Sequence, residues 1–317
     1  MNIYENKKIL LIGGGGTLGT HTARELLKLG AVVDVLCPEE KTSDNEKLTF
    51  FQGLGSREKL EELFSATHYD GIVNFIHYPK PDEYKEIHGF LMSNTDHLIF
   101  LSSYRVYANV QHPVTEDAPR LYDVETDPFL IDRETYAISK SKCEDFLRGE
   151  HAGENWTIVR PVISFSHRRL DLLLYSGHEV LEYAENGLEM PMPETVRDYS
   201  AGIDWSGNSG KLIAHLLFKN EAMGETFNIY SGHGMTWGEV ADTYAAITGV
   251  KIRWCPEREF LDYIYKFKND GWYWKYDRAY NRDIDATKVL RVTGLGEGDF
   301  LSVHDGILEE LKIIRGE

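Results

Sequence analysis

The sequence predicts an α/β fold: a doubly wound parallel sheet with a smaller C-terminal lobe. Three observations predict it. A short apolar strand runs into a glycine-rich turn, a helix and a second strand within residues 8–36. Strand and helix patterns then alternate as far as Leu101, the rhythm of parallel strands joined by crossover helices. Beyond about Ser164 that alternation is lost. The chain thus divides into a sheet-forming part, 1–163, and a mixed part, 164–317, that builds the lobe and returns to the sheet.

The first strand, 8–12, stops at Gly13-Gly14-Gly15-Gly16-Thr17-Leu18-Gly19, and a helical pattern spans 20–29 before the second strand, 31–36. Gly13, Gly16 and Gly19 have G-x-x-G-x-x-G spacing. Between a strand and a helix, such glycines give a tight turn, a bare backbone against a pyrophosphate, and a helix N-terminus facing the anion. A dinucleotide is therefore expected at Gly13, Gly16, Thr17, Leu18 and Gly19. The residue after the second strand selects between NAD and NADP, and here it is Cys37, followed by Pro38, Glu39 and Glu40. The two glutamates disfavour an extra phosphate, so NAD is preferred over NADP, with Lys41 the opposing sign.

A third strand (48–51), a helix (56–65) and a fourth strand (69–77) follow. His77 stands near the carboxyl end of the fourth strand, the edge that lines the ligand crevice in open parallel sheets. It is a candidate substrate contact, although a structural histidine is the commoner outcome at such a position. A helix over 83–92 leads to the fifth strand, 97–101, which delivers Ser102 and Ser103 to the same edge. The next helix, 133–148, carries Tyr136 and Lys140 four residues apart, on one face. A nearby ammonium favours the phenolate, making Tyr136 a candidate acid/base for an alcohol proton.

Composition narrows the function. The chain has 317 residues, 42% hydrophobic and 27% charged, with a formal charge of −17. That acidity repels phosphate backbones and argues against nucleic acid as a partner. No apolar run reaches bilayer length and the N-terminus lacks a signal-peptide core, so a cytoplasmic protein without membrane attachment is expected. Cys37, Cys143 and Cys255 are widely spaced, which fits reduced thiols and suggests neither a disulfide frame nor a metal site.

Gly13-x-x-Gly16-x-x-Gly19, Ser102-Ser103-x-x-Val106-Tyr107, Tyr136-x-x-x-Lys140 and Arg160-Pro161 occur in this order. They resemble the extended short-chain dehydrogenase/reductases, the NAD-dependent epimerase/dehydratases with a Rossmann-type domain. Residues 197–204, 226–229 and 284–288 extend the likeness over nearly the whole chain. The resemblance implies Tyr136 as acid/base, Lys140 lowering its pKa and holding the nicotinamide ribose, and Ser103 bonded to the reacting oxygen. It implies cofactor contacts from Ser102, Pro161 and Ile163, and substrate contacts from Tyr104 and Arg197, the latter on phosphates. The implied substrate is a small molecule such as a nucleotide sugar.

Departures from that pattern refine it. Tyr104 and Arg105 stand where sugar 4,6-dehydratases carry two acids, so dehydratase chemistry is disfavoured. The stretch 78–96 is shorter than the family norm, which weakens the homodimer usually formed there. An oxidoreductase or epimerase is the leading expectation. The alternative is a non-catalytic NAD(P)-binding sensor, against which the intact Ser103, Tyr136 and Lys140 argue; an RNA-binding relative conflicts with the charge. In the C-terminal part, Ser166-His167-Arg168-Arg169 is a basic cluster suited to an anionic substrate or to a solvated loop. The aromatic run 271–276 suits lobe packing more than ligand stacking.

Overall fold

The computed structural model describes residues 2–133, 135–267 and 273–316. In the first part, β1 (Lys8–Ile12), α1 (Thr17–Lys28), β2 (Val32–Cys37), β3 (Leu48–Gln52), α2 (Arg57–Ala66), β4 (Tyr69–Asn74), α3 (Pro81–Met92) and β5 (Thr95–Leu101) follow one another. Short helices α4 (Leu121–Val124) and α5 (Pro128–Arg133) precede α6 (Thr135–Glu150), β6 (Trp156–Pro161) and β7 (Ile163–Phe165). Then come α7 (Gly177–Glu185), β8 (Glu189–Pro193), β9 (Ile203–Trp205), α8 (Ser206–Leu216) and β10 (Glu225–Ile229). The chain closes with α9 (Trp237–Thr248), β11 (Lys251–Cys255), α10 (Glu257–Phe267), α11 (Thr287–Thr293) and α12 (Val303–Arg315).

Seven strands form one sheet in the order β10-β6-β5-β4-β1-β2-β3, and every neighbouring pair is parallel. Both faces are covered, which is why the strands read as nearly continuous apolar runs. Alternate residues of β1 serve opposite faces: Ile9 and Leu11 join the core under α1 and α8, while Leu10 and Ile12 join the core under α2, α3 and α6. The strand order reverses between β1 and β4, and the crevice at their carboxyl ends is the expected ligand position.

Residues after 163 do two things. The segment through α8 and β10 completes the sheet, with α8 lying against α1. The lobe is built on a parallel pair, β8 with β11, covered by α7, α9 and α10. A T-x-x-E capping box starts α9: Thr236 accepts from the Glu239 N–H at 3.2 Å, and the Glu239 carboxylate accepts from the Thr236 N–H at 2.7 Å. Gly249 (φ 79°) ends it in the left-handed region.

Two boundaries differ from expectation in ways that matter. Helix α1 starts at Thr17 rather than Thr20, so its N-terminus abuts the glycine turn. Strand β4 ends at Asn74 rather than His77, because the Asn74 side chain accepts the Ile76 N–H at 3.1 Å and turns the chain out of the sheet. No helix among the described residues is long and apolar enough to cross a membrane.

Candidate functional site

The cleft at the carboxyl edge has two adjoining parts of about 610 and about 630 Å³ that meet at Gly13. Each glycine of the turn has its own reason. Gly13 has φ +72°, a conformation side chains rarely tolerate. Gly16 faces open space and caps α1 with no side-chain bond, and the first turn of α1 carries no acid. The helix N-terminus is thus left bare toward the cleft, as anion binding requires. A Cβ on Gly19 would overlap the carbonyl of Gly14, so Gly19→Ala must push the helix off the turn. We expect this substitution to cost roughly 1–3 kcal/mol of stability and to abolish dinucleotide retention, checked by thermal melting and by assay of cofactor released on denaturation.

The wider part of the cleft is lined by Gly16, Thr17, Leu18, Gly19, Leu101, Ser102, Ser103, Tyr104, Arg105, Tyr136, Pro161, Ile163, Arg169 and Tyr273, among others. Ser103 follows β5 and Tyr136 opens α6; both line the cleft, and the serine hydroxyl acts to lower the pKa of the phenol. Ser103 Oγ accepts the Arg105 N–H at 3.2 Å, which leaves its own proton free to point at the phenol. Burial raises the Tyr136 pKa above its ordinary value, while the Ser103 hydroxyl and the guanidinium groups of Arg105 and Arg169 pull it back; the net direction is up. The Arg105 guanidinium lies 5.1 Å from the Tyr136 ring centre and 4.5 Å from that of Tyr273.

Lys140 takes a position different from the expected one. Its ammonium lies beneath the cleft, donating to the carbonyl oxygens of Ile76 (3.1 Å) and Leu101, 4.9 Å from the Phe100 ring centre. Burial lowers its pKa to about 8. The cations acting on the phenol are therefore Arg105 and Arg169, because the carbonyls of Ile76 and Leu101 hold the lysine.

Ser102 lines the cleft but is itself buried. Its hydroxyl donates at 2.6 Å to the fully buried carboxylate of Glu144. Glu144 also accepts from Arg160 (Nε 2.8 Å, Nη2 2.5 Å) and from Arg120 (3.2 Å). Burial pushes the Glu144 pKa up, but the Arg160 charge and bonds outweigh it and bring the group down to about 2. Arg160 continues to the Tyr107 hydroxyl (2.7 Å), which donates to Asn228 on β10 at 2.6 Å. The Arg160-Pro161 motif thus has two uses: the arginine locks strands beneath the cleft, and the proline lines it.

The other expected site residues divide between the cleft and its surroundings: His77 and Tyr104 line it, while Cys37 and Arg197 do not. Cys37 is buried against Gly15, its thiol bonded to the Glu39 carbonyl; the residues lining that part of the cleft are instead Leu36, Pro38, Gly53, Ser56 and Arg57. Lys41 donates to the Gly15 carbonyl at 2.6 Å. His77 lines the cleft, its ring tilted by 58° with its centre 4.7 Å from that of Tyr136, and bonds Ser139 at 2.9 Å. Tyr104 is buried; its hydroxyl donates to Asp277 and accepts from Arg278, each at 2.8 Å, and so pins the lobe to the sheet. Arg197 is exposed, stacked 5.2 Å over Trp254 and outside the residues lining the cleft. Of the aromatic run, Gly271 and Trp272 lie outside the described residues, Trp274 packs on Phe260 of the lobe, Tyr276 is buried with Ala108, Leu121, Leu130 and Ala137, and Tyr273 reaches the cleft. Sequence reasoning passed over Arg105 and Tyr273 as site residues, although Arg105 was legible as a basic residue at a place where acids were expected.

Residues 9–173 match the NAD dependent epimerase/dehydratase family. The chain belongs to that family. Among its curated relatives, a UDP-glucose 4-epimerase of Neisseria meningitidis serogroup B is 25% identical, covering 90% of this chain and 95% of its own. That of serogroup A is 30% identical, with coverages of 78% and 84%, and that of Lacticaseibacillus casei 31%, with 77% and 82%. Solved structures of the same fold include Bordetella bronchiseptica WbmH in complex with NAD+ (TM-score 0.69, 18% identity, 98% of each chain). The UDP-glucose 4-epimerase of Thermotoga maritima with UDP-glucose has TM-score 0.68 at 19% identity, covering 98% of this chain and 99% of its own. As a member of the epimerase/dehydratase family, the chain is an enzyme of NAD-dependent type built on a seven-stranded Rossmann-like sheet.

Proposed function

We propose that this enzyme is a nucleotide-sugar epimerase that inverts a carbinol carbon, C4 of a UDP-hexose, with a retained NAD. The observation that carries the reading is the convergence in one cleft of the glycine turn, the Ser103–Tyr136 pair and two guanidinium groups. Curated relatives named UDP-glucose 4-epimerase support the substrate class.

The residues present fit a dinucleotide. Gly13, Gly16 and the bare N-terminus of α1 would take the pyrophosphate. The Glu39 carboxylate lies 2.8 Å from where a Cβ of Gly15 would stand, so the turn already carries a negative group next to the place of the adenosine ribose. That charge favours free ribose hydroxyls and repels a 2′-phosphate, with Lys41, bonded to the Gly15 carbonyl, as the opposing charge. NAD is the cofactor we infer. When bound, it supplies the acceptor and donor of hydride.

The chain's own work is proton handling and charge. Tyr136 takes the proton of the substrate hydroxyl as the carbinol becomes a ketone, and returns it when the ketone is reduced on its other face. One phenol serves both half-reactions, so no second acid is needed and the missing acids at Tyr104 and Arg105 cost nothing. Ser103 steadies the oxygen, and Arg105 and Arg169 offset the diphosphate charge in a protein of formal charge −17.

The test is denaturation of freshly purified protein with mass analysis of the released dinucleotide, followed by incubation of native protein with UDP-glucose. Stoichiometric NAD, and formation of the C4 epimer without added cofactor, are expected. Release of NADP would overturn the cofactor assignment, and absence of epimer from a protein loaded with NAD would overturn the substrate.

A further inference from the structure

We propose that His88, His151 and Glu154 form a binding site for one divalent transition-metal ion, zinc foremost, remote from the catalytic cleft. Their ligand atoms all lie within 4.8 Å of one another. His88 Nε2 is 3.1 Å from one carboxylate oxygen of Glu154, and His151 Nδ1 is 2.8 Å from the other. Zinc bonds imidazole nitrogen and carboxylate oxygen at about 2.0–2.2 Å with tetrahedral angles, which sets neighbouring ligand atoms about 3.3 Å apart. The two nitrogen–oxygen pairs need to open by only a few tenths of an ångström, and the two nitrogens, no more than 4.8 Å apart, are within reach of one ion. Two nitrogens and one oxygen suit zinc better than calcium or magnesium, which take oxygen ligands.

The ligands are held in place before any ion arrives. His88, on α3, is fully buried, and its Nδ1 is bonded to the Tyr84 hydroxyl at 3.1 Å. With a metal on Nε2 the ring proton sits on Nδ1 and Tyr84 accepts it, the outer-shell partner that ligating histidines require. The rings of His88 and His151 lie 5.5 and 4.5 Å from that of Phe146. The backbone of His151 is fixed by the Trp156 indole N–H, which donates to its carbonyl at 2.7 Å, and by the Glu154 N–H at 3.2 Å. His151 and Glu154 keep 24% and 40% of their side chains exposed, so an ion has a way in and a water can complete the tetrahedron.

The site's place in the fold separates it from the chemistry. Glu154 precedes β6 and His88 lies in the second half of α3, so the trio sits at the amino ends of the strands, opposite the cleft. A bound ion would join α3 to the turn between α6 and β6. The expectation drawn from cysteines alone was no metal, and histidines far apart in sequence escape that test.

The same trio without metal would be one carboxylate shared by two imidazoles, and titration of tag-free, chelator-treated full-length protein separates the two. With zinc chloride we expect one ion per chain by calorimetry, a rise in Tm of a few degrees at a hundredfold excess over Kd, and a tetrahedral visible spectrum with cobalt(II). His151→Ala and Glu154→Gln, at partly exposed positions, should each weaken binding at least tenfold and leave turnover unchanged. Absence of binding to the wild type, or equal binding by both variants, overturns the proposal.

Discussion

Replacing Tyr136 by phenylalanine is expected to lower kcat about a thousandfold, within the range that removal of a general acid/base gives. The dinucleotide content and Tm should stay near wild type. The ring remains, and with it the tilted contact with His77 at 4.7 Å and the Arg105 guanidinium at 5.1 Å; only the hydroxyl is lost. A fall of less than tenfold would remove Tyr136 from the mechanism. The direction of its pKa makes a second, sharper check. Burial holds the phenol up while Arg105 and Arg169 pull it down, so Arg105→Met should move it further up. The phenolate then forms only at higher pH, and the acid limb of the pH–kcat profile shifts to higher pH. A profile unmoved by that change means that Arg105 does not act on the phenol.

Glu144→Ala is expected to have the largest effect on stability. It leaves Arg160, with no exposed surface, as a buried charge without its carboxylate, a change that costs about 3–5 kcal/mol out of a total on the order of 5–15. Ser102 loses its partner at the same time, so the strand end that presents Ser103 loosens as well. The pH dependence follows from the carboxyl's pKa of about 2. An unfolded glutamate titrates near ~4.3, so the contribution is complete above that pH and is lost as pH falls from there toward 2. Urea unfolding of wild type and Glu144→Gln should show a wide stability gap at neutral pH that closes through this acid window. A gap that stays constant to the lowest pH would show that the carboxylate's charge is not what stabilises the network.

Local sequence determined what depends on short-range chemistry. The glycines of the turn, the apolar runs of a sheet covered on both faces, and the pair Tyr136 and Lys140 are set by near neighbours, and a strand–turn–helix unit permits few alternatives. Those signals gave the fold class, the ligand edge and the membership of an ordered set of motifs. What tertiary structure decided lies in contacts between residues far apart in the chain. Lys140 is drawn to the carbonyls of Ile76 and Leu101, and Ser102 is turned inward by Glu144. Arg197 stacks on Trp254 rather than lining the cleft. Tyr273 reaches Arg105 at 3.2 Å across a sequence gap of 168 residues. Each outcome is a competition among partners for one charged or polar side chain, and burial, which sets the strength of every such bond, exists only once the sheet and lobe have closed.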